Sequence, residues 1–314
     1  MIITLSGKQN GGSLSEVLLS DIRAPLYNGV YGLRHPLGIY NVSRSAVVDS
    51  FSKTINTLLR VTYERPFLVT TSKKGDRSLM YTLLAAQKDL LYALMEYLDD
   101  CDNILACFFS SKSMRNEDSH VKLYRKSTEE YRNHIGKVVN YSKHSQGRLL
   151  DITFYNEKFA LPGYFVVGAT EENTIGPVET IHPQNTAFSF ARDLRYNFFH
   201  FHAVARYLGG AIGGILSKEH NTAALENQPL DEKILGIASR ISNLPFVFYP
   251  DEVLKPVPSV SVSHNYHLSD RAVALAYPDE KTKVAVVPNE MKIIASHRGD
   301  DVTKSFQFPY LKNI

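Results

Sequence analysis

The segment 131–149 carries the residue types best suited to chemistry. On an α-helix, Asn133, Lys137, Asn140 and His144 fall at relative angles of about 0°, 40°, −20° and 20°, so they form one polar stripe. Tyr131, Ile135 and Val138 fall on roughly the opposite side, Lys143 lies beside the stripe, and Arg132 is about 100° away from it. Histidine moves protons near neutral pH. A neighbouring Lys or Arg stabilises charge developing on a phosphate, and Asn holds a phosphate or sugar oxygen. Together these groups suit attack of an RNA 2′-hydroxyl on its own phosphate without a metal. The solvated face of an amphipathic helix carries the same pattern, so both readings stay open on the sequence.

A second constellation lies in 188–210. Asp193, Asn197 and His200 follow i, i+4, i+7 and share a helical face, while Arg192, Arg195, His202 and Arg206 gather on nearly the opposite one. Phe190, Leu194, Phe198, Phe199 and Phe201 supply apolar bulk between them. Two polar faces on one apolar helix imply that at least one is covered by another element or chain. The readings are a buried Asp/Asn/His hydrogen-bond network with a basic surface face, or a site or oligomer contact. Arg195 and His200 would sit about 140° apart on a continuous helix, so they share a site only near a helix end or across an interface.

These residues need long helices, and the sequence supplies them. Val47, Phe51, Ile55, Leu58 and Leu59 mark a helix over 44–62, with Pro66 ending it. Leu79, Leu83, Leu90, Leu94 and Leu98 mark another over 79–109, interrupted by Asp99 and Asp100. A polar loop at 110–119 leads to a third, from near His120 to Ser145. Residues 149–186 read as strands, with a turn at 156–158 and Pro162-Gly163 as an interruption. Residues 187–217 and 231–244 return to helix. The Pro-punctuated tail from Pro245 reads as edge strands and meanders. Residues 1–45 read as strands, turns and an extended arm, broken at 10–13, 24–29 and 35–38, and a separate polar turn is expected at 72–78. The expected fold class is α+β: a long-helix bundle core with a β insertion and a β-rich C-terminal region. The expected organisation is an arm over 1–43, a core over 44–244 with the insertion at about 149–186, and a tail over 245–314. Strands and helices do not alternate, which argues against a doubly wound parallel sheet.

The chain has 314 residues, 44% hydrophobic and 21% charged, with a formal net charge of +3. That balance suits a globular protein and excludes a strongly basic nucleic-acid coat. Cys101 and Cys107 point to different sides of a helix and read as unpaired core residues. The N-terminal stretch lacks a signal-peptide pattern and no apolar run reaches transmembrane length, so the expectation is a cytoplasmic protein with no membrane contact. No phosphate loop, dinucleotide fingerprint, nucleophile elbow or zinc pattern is present, so no cofactor and no metal are expected. The run Gly209-Gly210-Ala211-Ile212-Gly213-Gly214 suits close helix packing, and His264 with His267 reads as a solvated or hydrogen-bonded pair.

Two long helices joined by a polar loop, with Arg132-Asn133 and Asn140-Tyr141-Ser142-Lys143-His144 in the second, resemble the HEPN superfamily of small helical bundles. Many members are metal-independent ribonucleases of toxin–antitoxin and phage-defence systems, and they commonly dimerise so that paired Arg/His motifs form one cleft. The resemblance implies His144 as proton-transfer residue, Lys143 as phosphate stabiliser, Asn140 and Arg132 as positioning groups, and Arg195 with His200 as a second pair. It spans at most 79–217, and the residue five after Arg132 is Lys137 rather than His. The leading expectation is therefore an interaction or accessory module with a HEPN-like core and a protein partner or homo-oligomeric state. The alternatives are a metal-independent endoribonuclease acting on RNA, and a small-molecule enzyme with a site between the helical and β regions.

Overall fold

The computed structural model describes residues 1–6, 14–20, 22, 24–64, 78–144, 147–155, 160–169, 175–216, 231–265, 270–277, 285–286 and 292–295. The chain opens with β1 (Ile2–Ser6) and a short helix α1 (Leu14–Ser20). Helix α2 (Pro36–Leu59) starts earlier than its apolar pattern predicts. The His35-Pro36 pair, read from sequence as a turn, is a helix start. Pro36 occupies the first turn, where its missing N–H costs nothing, and the His35 ring Nδ1 accepts from the Leu37 N–H at 3.3 Å. A π-helical turn (Arg60–Glu64) extends α2.

Helix α3 (Ser78–Ala106) runs straight through Asp99 and Asp100, which correct the expected interruption by facing outward as part of its polar side. Leu83, Leu90, Leu94, Leu98, Cys101 and Leu105 bury its other face. Both cysteines are free and buried, and burial pushes the Cys101 thiol up to about 12 and the Cys107 thiol up to about 11. The polar connection that follows contains a helix of its own, α4 (Lys112–Glu117), because Ser111 caps it by accepting from the Met114 N–H. Asp118 then caps α5 (Ser119–His144), accepting from the His120 and Val121 N–H groups at 2.8 and 2.9 Å.

Strands β2 (Arg148–Tyr155), β3 (Ala160–Ala169), β4 (Ile175–Pro177) and β5 (Phe188–Ser189) form an antiparallel sheet in which β5 also pairs β3. Pro162 and Gly163 lie within continuous β3, opposite Thr153 and Ile152, rather than interrupting it. Gly163 is required by close approach: a Cβ there would collide with the Tyr249 hydroxyl and the Phe188 carbonyl. Helix α6 (Phe190–Ile215) follows directly, capped by Ser189. Residues 190–199 of α6 are all buried, and His200 is the first partly exposed position, the behaviour of a helix at the centre of a core.

Helix α7 (Glu232–Ser242) packs on α2, and α1 packs on α6. The glycine run of α6 is a packing surface: a Cβ at Gly214 would collide with the His120 ring, and one at Gly213 would touch Leu18. The remaining strands are β6 (Val247–Phe248), β7 (Ser259–Asn265), β8 (Asp270–Ala276), β9 (Ala285–Val286) and β10 (Lys292–Ala295). β1 pairs β8 and β8 pairs β7, both antiparallel, while β10 adds to the edge of β2. β6 and β9 form a parallel pair. The fold is thus α+β with a helical core, and one contiguous apolar cluster runs from Ile3 through α2, α3, α5 and α6 to Leu275. No helix among the described residues is long and apolar enough to cross a membrane. The expected turns at 10–13, 72–77 and 156–158, and His267, lie outside the described residues.

Candidate functional site

The polar stripe of α5 forms as its spacing predicts: Asn133, Lys137, Asn140 and His144 are all exposed. Its proposed partners go elsewhere. Arg132 turns to α3, donating to Asp99 Oδ1 at 2.7 Å, Asp102 Oδ2 at 2.8 Å and the Leu98 carbonyl at 2.8 Å. Burial opposes its charge, but the Asp102 and Asp99 carboxylates outweigh it and raise the guanidinium pKa. Arg132 and His144 are separated by roughly 18 Å of helix, so they do not meet on one phosphate within a chain. Lys143 lies over the Tyr92 ring of α3 at 5.1 Å. His144 and Asn140 stand exposed in the last two turns of α5.

The second pair does not assemble either. Arg195 is buried, donates to the Leu244 carbonyl at 2.9 Å and covers the Phe246 ring. Burial depresses its pKa to about 10. His200 stacks on Tyr131 instead, and its Nε2 is enclosed without a partner. The expected basic surface face is largely internal, since Arg192, Arg195 and His202 are buried and only Arg206 is exposed.

The Asp193 face is a buried network. Asp193 Oδ2 accepts from the Gln87 amide at 2.7 Å, the Tyr164 hydroxyl at 3.0 Å and the Asn197 amide at 2.9 Å. The Tyr131 hydroxyl donates to Asn197 Oδ1 at 3.2 Å. Residues of α3, α5, α6 and β3 are thereby tied to one carboxylate. Burial raises its pKa to about 6, against the lowering effects of Tyr164, Arg192, Gln87 and Asn197. A second buried carboxylate, Glu252, accepts from the backbone N–H groups of Ser189 and Tyr249 at 3.0 Å each and from the Ser189 hydroxyl. It fixes the junction of β5 and α6.

Above this framework α5 borders a cleft of about 320 Å³. Glu130, Asn133, His134, Lys137 and Val138 of α5 form one wall. Thr180 and Ile181 from the connection after β4, Phe188 of β5 and Tyr196 of α6 form the other. The cleft lies where the helical core meets the β insertion. Its β-side wall is held by a tight turn: the Ile181 and His182 N–H groups donate to the Val178 carbonyl, and His182 Nε2 accepts from the Val166 N–H at 2.8 Å. Gln184 and Asn185 next to it both adopt left-handed backbone at φ 58°, a conformation that non-glycine residues hold only when neighbours impose it.

The polar groups of this cleft are unspent. Glu130, Asn133, His134, Lys137, Thr180 and the Tyr196 hydroxyl form no hydrogen bond or ion pair with another described residue. The His134 ring sits edge-on to Tyr196 at 5.2 Å and to Phe188 at 5.8 Å. Burial, and then the charges of Arg192, Lys137 and Lys255, depress its pKa to about 4, so it is neutral at pH 7.

The sequence pattern identified two cleft residues, Asn133 and Lys137, and missed the rest. Glu130 lies on the same stripe, about 60° from Asn133, and the spacing could have found it. His134 follows Asn133 at the boundary between polar and apolar faces, a weaker signal. Thr180, Ile181, Phe188 and Tyr196 have no local signal, because the path of the chain brings them there. Among the described residues no group of three His, Cys, Asp or Glu side chains could hold a metal ion. Compared with family models, curated proteins and solved structures, the chain matches none.

Proposed function

We propose that the chain binds a small organic molecule in the cleft between α5 and the 178–188 segment. One observation carries this reading: polar side chains from α5, α6 and the connection after β4 converge on one concavity with their hydrogen-bonding capacity unspent. The buried carboxylates Asp193 and Glu252, by contrast, are consumed by internal partners. A volume of about 320 Å³ lies at the lower end for small-molecule sites, and the mix of aromatic walls with a few placed polar groups is their usual composition. Ribonuclease action through His144 and Lys143 draws less support, because Arg132 is committed to Asp99 and Asp102.

The test is a thermal-shift screen of small metabolites, with short RNA oligonucleotides in the same panel, against wild type, Lys137→Ala and Asn133→Ala. Both side chains are exposed, so the variants should fold. A cleft ligand raises the Tm of wild type by mass action, and the shift falls in both variants. Ligands that stabilise all three proteins equally would place binding elsewhere and overturn the reading.

A further inference from the structure

We propose that the ligand of this cleft is an aromatic carboxylate, its carboxylate received by Lys137 and His134 and its ring lying against Tyr196 and Phe188. The inference rests on the binding reading above and names the class of molecule.

The argument begins with a donor–acceptor inventory. Lys137 offers an ammonium, Asn133 an amide N–H, Tyr196 and Thr180 hydroxyls, and His134 one ring N–H. Glu130 is the one acceptor-only group among these side chains. Asn133, Tyr196, Thr180 and the neutral His134 ring can each donate or accept, so Lys137, the one donor-only group, fixes where an acceptor must sit. Lys137 lies one helical turn from both His134 and Asn133, close enough for all three to reach one ligand group. The charges acting on the His134 ring are cationic: Lys137 on its own helix, Arg192 on α6, and Lys255. Arg192 and Lys255 are already engaged, by the Pro256 carbonyl and by Asp251, whereas Lys137 is not. A negative charge entering at this end of the cleft meets the unpaired Lys137 ammonium, two helical turns from the Glu130 carboxylate.

The remaining walls are aromatic. His134, Tyr196 and Phe188 stand edge to face around the cavity, with Val138 and Ile181 beside them. Such walls take a flat ring at little entropic cost. Glu130 lies two turns from Lys137 on the same face, where it can accept from a hydroxyl or amine at the far end of the ligand.

An anion beside His134 also changes its protonation. The titratable and charged groups around the ring are Glu130 and Lys137 on α5, Tyr196, Arg192 and His200 on α6, His182 on the connecting turn, and Lys255. Burial first, and then the three cations, hold the free ring neutral, and a carboxylate beside it offsets the cationic part. A bound carboxylate thus raises the ring's pKa from about 4, and binding on the acid side of neutrality takes up a proton from solvent onto the imidazole.

The experiment uses matched pairs: benzoate with benzamide, cinnamate with cinnamamide, and indole-3-acetate with its amide. Each is titrated into the full chain, methyl-labelled so that Val138 and Ile181 report occupancy by NMR. The acid of at least one pair should shift both methyl signals and bind at least about tenfold more tightly than its amide, the ratio expected of one charge-assisted contact. Lys137→Ala should bring that ratio close to one. Calorimetry at pH 5.5 in buffers of different ionisation enthalpy should show proton uptake in wild type and none in His134→Gln. If amides bind as well as acids, the anion assignment is wrong while the binding reading stands. If neither moves the two methyl signals and the metabolite screen finds no Lys137-dependent ligand, both fall.

Discussion

The rings of Tyr131 and His200 lie flat on one another, with centroids 4.6 Å apart and planes 10° from parallel. This contact joins α5 to α6, and Tyr196 packs against both rings. A stacked, enclosed imidazole cannot take a proton without bringing an unsolvated charge into the core. Burial, helped by the neighbouring His134, accordingly depresses the pKa of His200 to about 3.

The first prediction concerns acid. His134 is depressed to about 4, and His182, His200 and His202 to about 3, chiefly through burial. Groups with a lowered folded pKa contribute stability that is fully present above the unfolded value of 6.5 and lost as pH falls toward the folded value. For His200 alone, going from pH 7 to pH 5 should remove about 2 kcal/mol. Urea denaturation at the two pH values should show His200→Phe losing less stability than wild type by about that amount. Equal losses would mean that His200 is protonated in the native state.

Asp193 acts in the opposite direction. Its pKa is raised from 3.8 to about 6, so its contribution is fully present below 3.8 and is lost as pH rises through 6. On acidification it therefore offsets part of the histidine loss. In Asp193→Asn the offset is gone, and stability should fall more steeply between pH 6 and pH 4 than in wild type. A slope unchanged in urea titrations would remove the buried carboxylate from the pH response.

Arg132 should behave as a clamp between α5 and α3. Arg132→Ala should cost about 1–2 kcal/mol, discounted for partial exposure of the ion pairs. Arg132→Lys should recover part of that, because one ammonium cannot serve Asp99, Asp102 and the Leu98 carbonyl together. Ligand affinity at the cleft should be unchanged in both. A loss of affinity larger than the loss of stability would return Arg132 to the functional site.

The long helices were legible because their apolar residues repeat at spacings of four and seven, and α3 and α5 begin within two residues of where that repeat predicts. The start of α2 was not, since Pro36 reads as a turn residue unless the helix behind it is already known. The stripe of α5 was legible as a face but not as a site. Whether Arg132 joins it depends on Asp99 and Asp102 of another helix, and no local spacing encodes that contact. The opposite wall of the cleft depends on His182 reaching the Val166 N–H and on Glu252 fixing Ser189, both long-range events. The pairing of β10 with β2 and of β1 with β8 is equally non-local.

That last pairing sets a schedule for biosynthesis. β1 leaves the ribosome long before its partner in the sheet, Asp270–Ala276. At about 5–20 residues per second, β1 must wait on the order of 15–50 s before its hydrogen bonds can be made. During that interval an unpaired strand edge is available to other chains. The helices α2 to α6 can consolidate while translation proceeds, whereas closure of the sheet belongs to a later, whole-chain event. Expression conditions that slow aggregation, rather than those that speed helix formation, should govern the yield of folded protein.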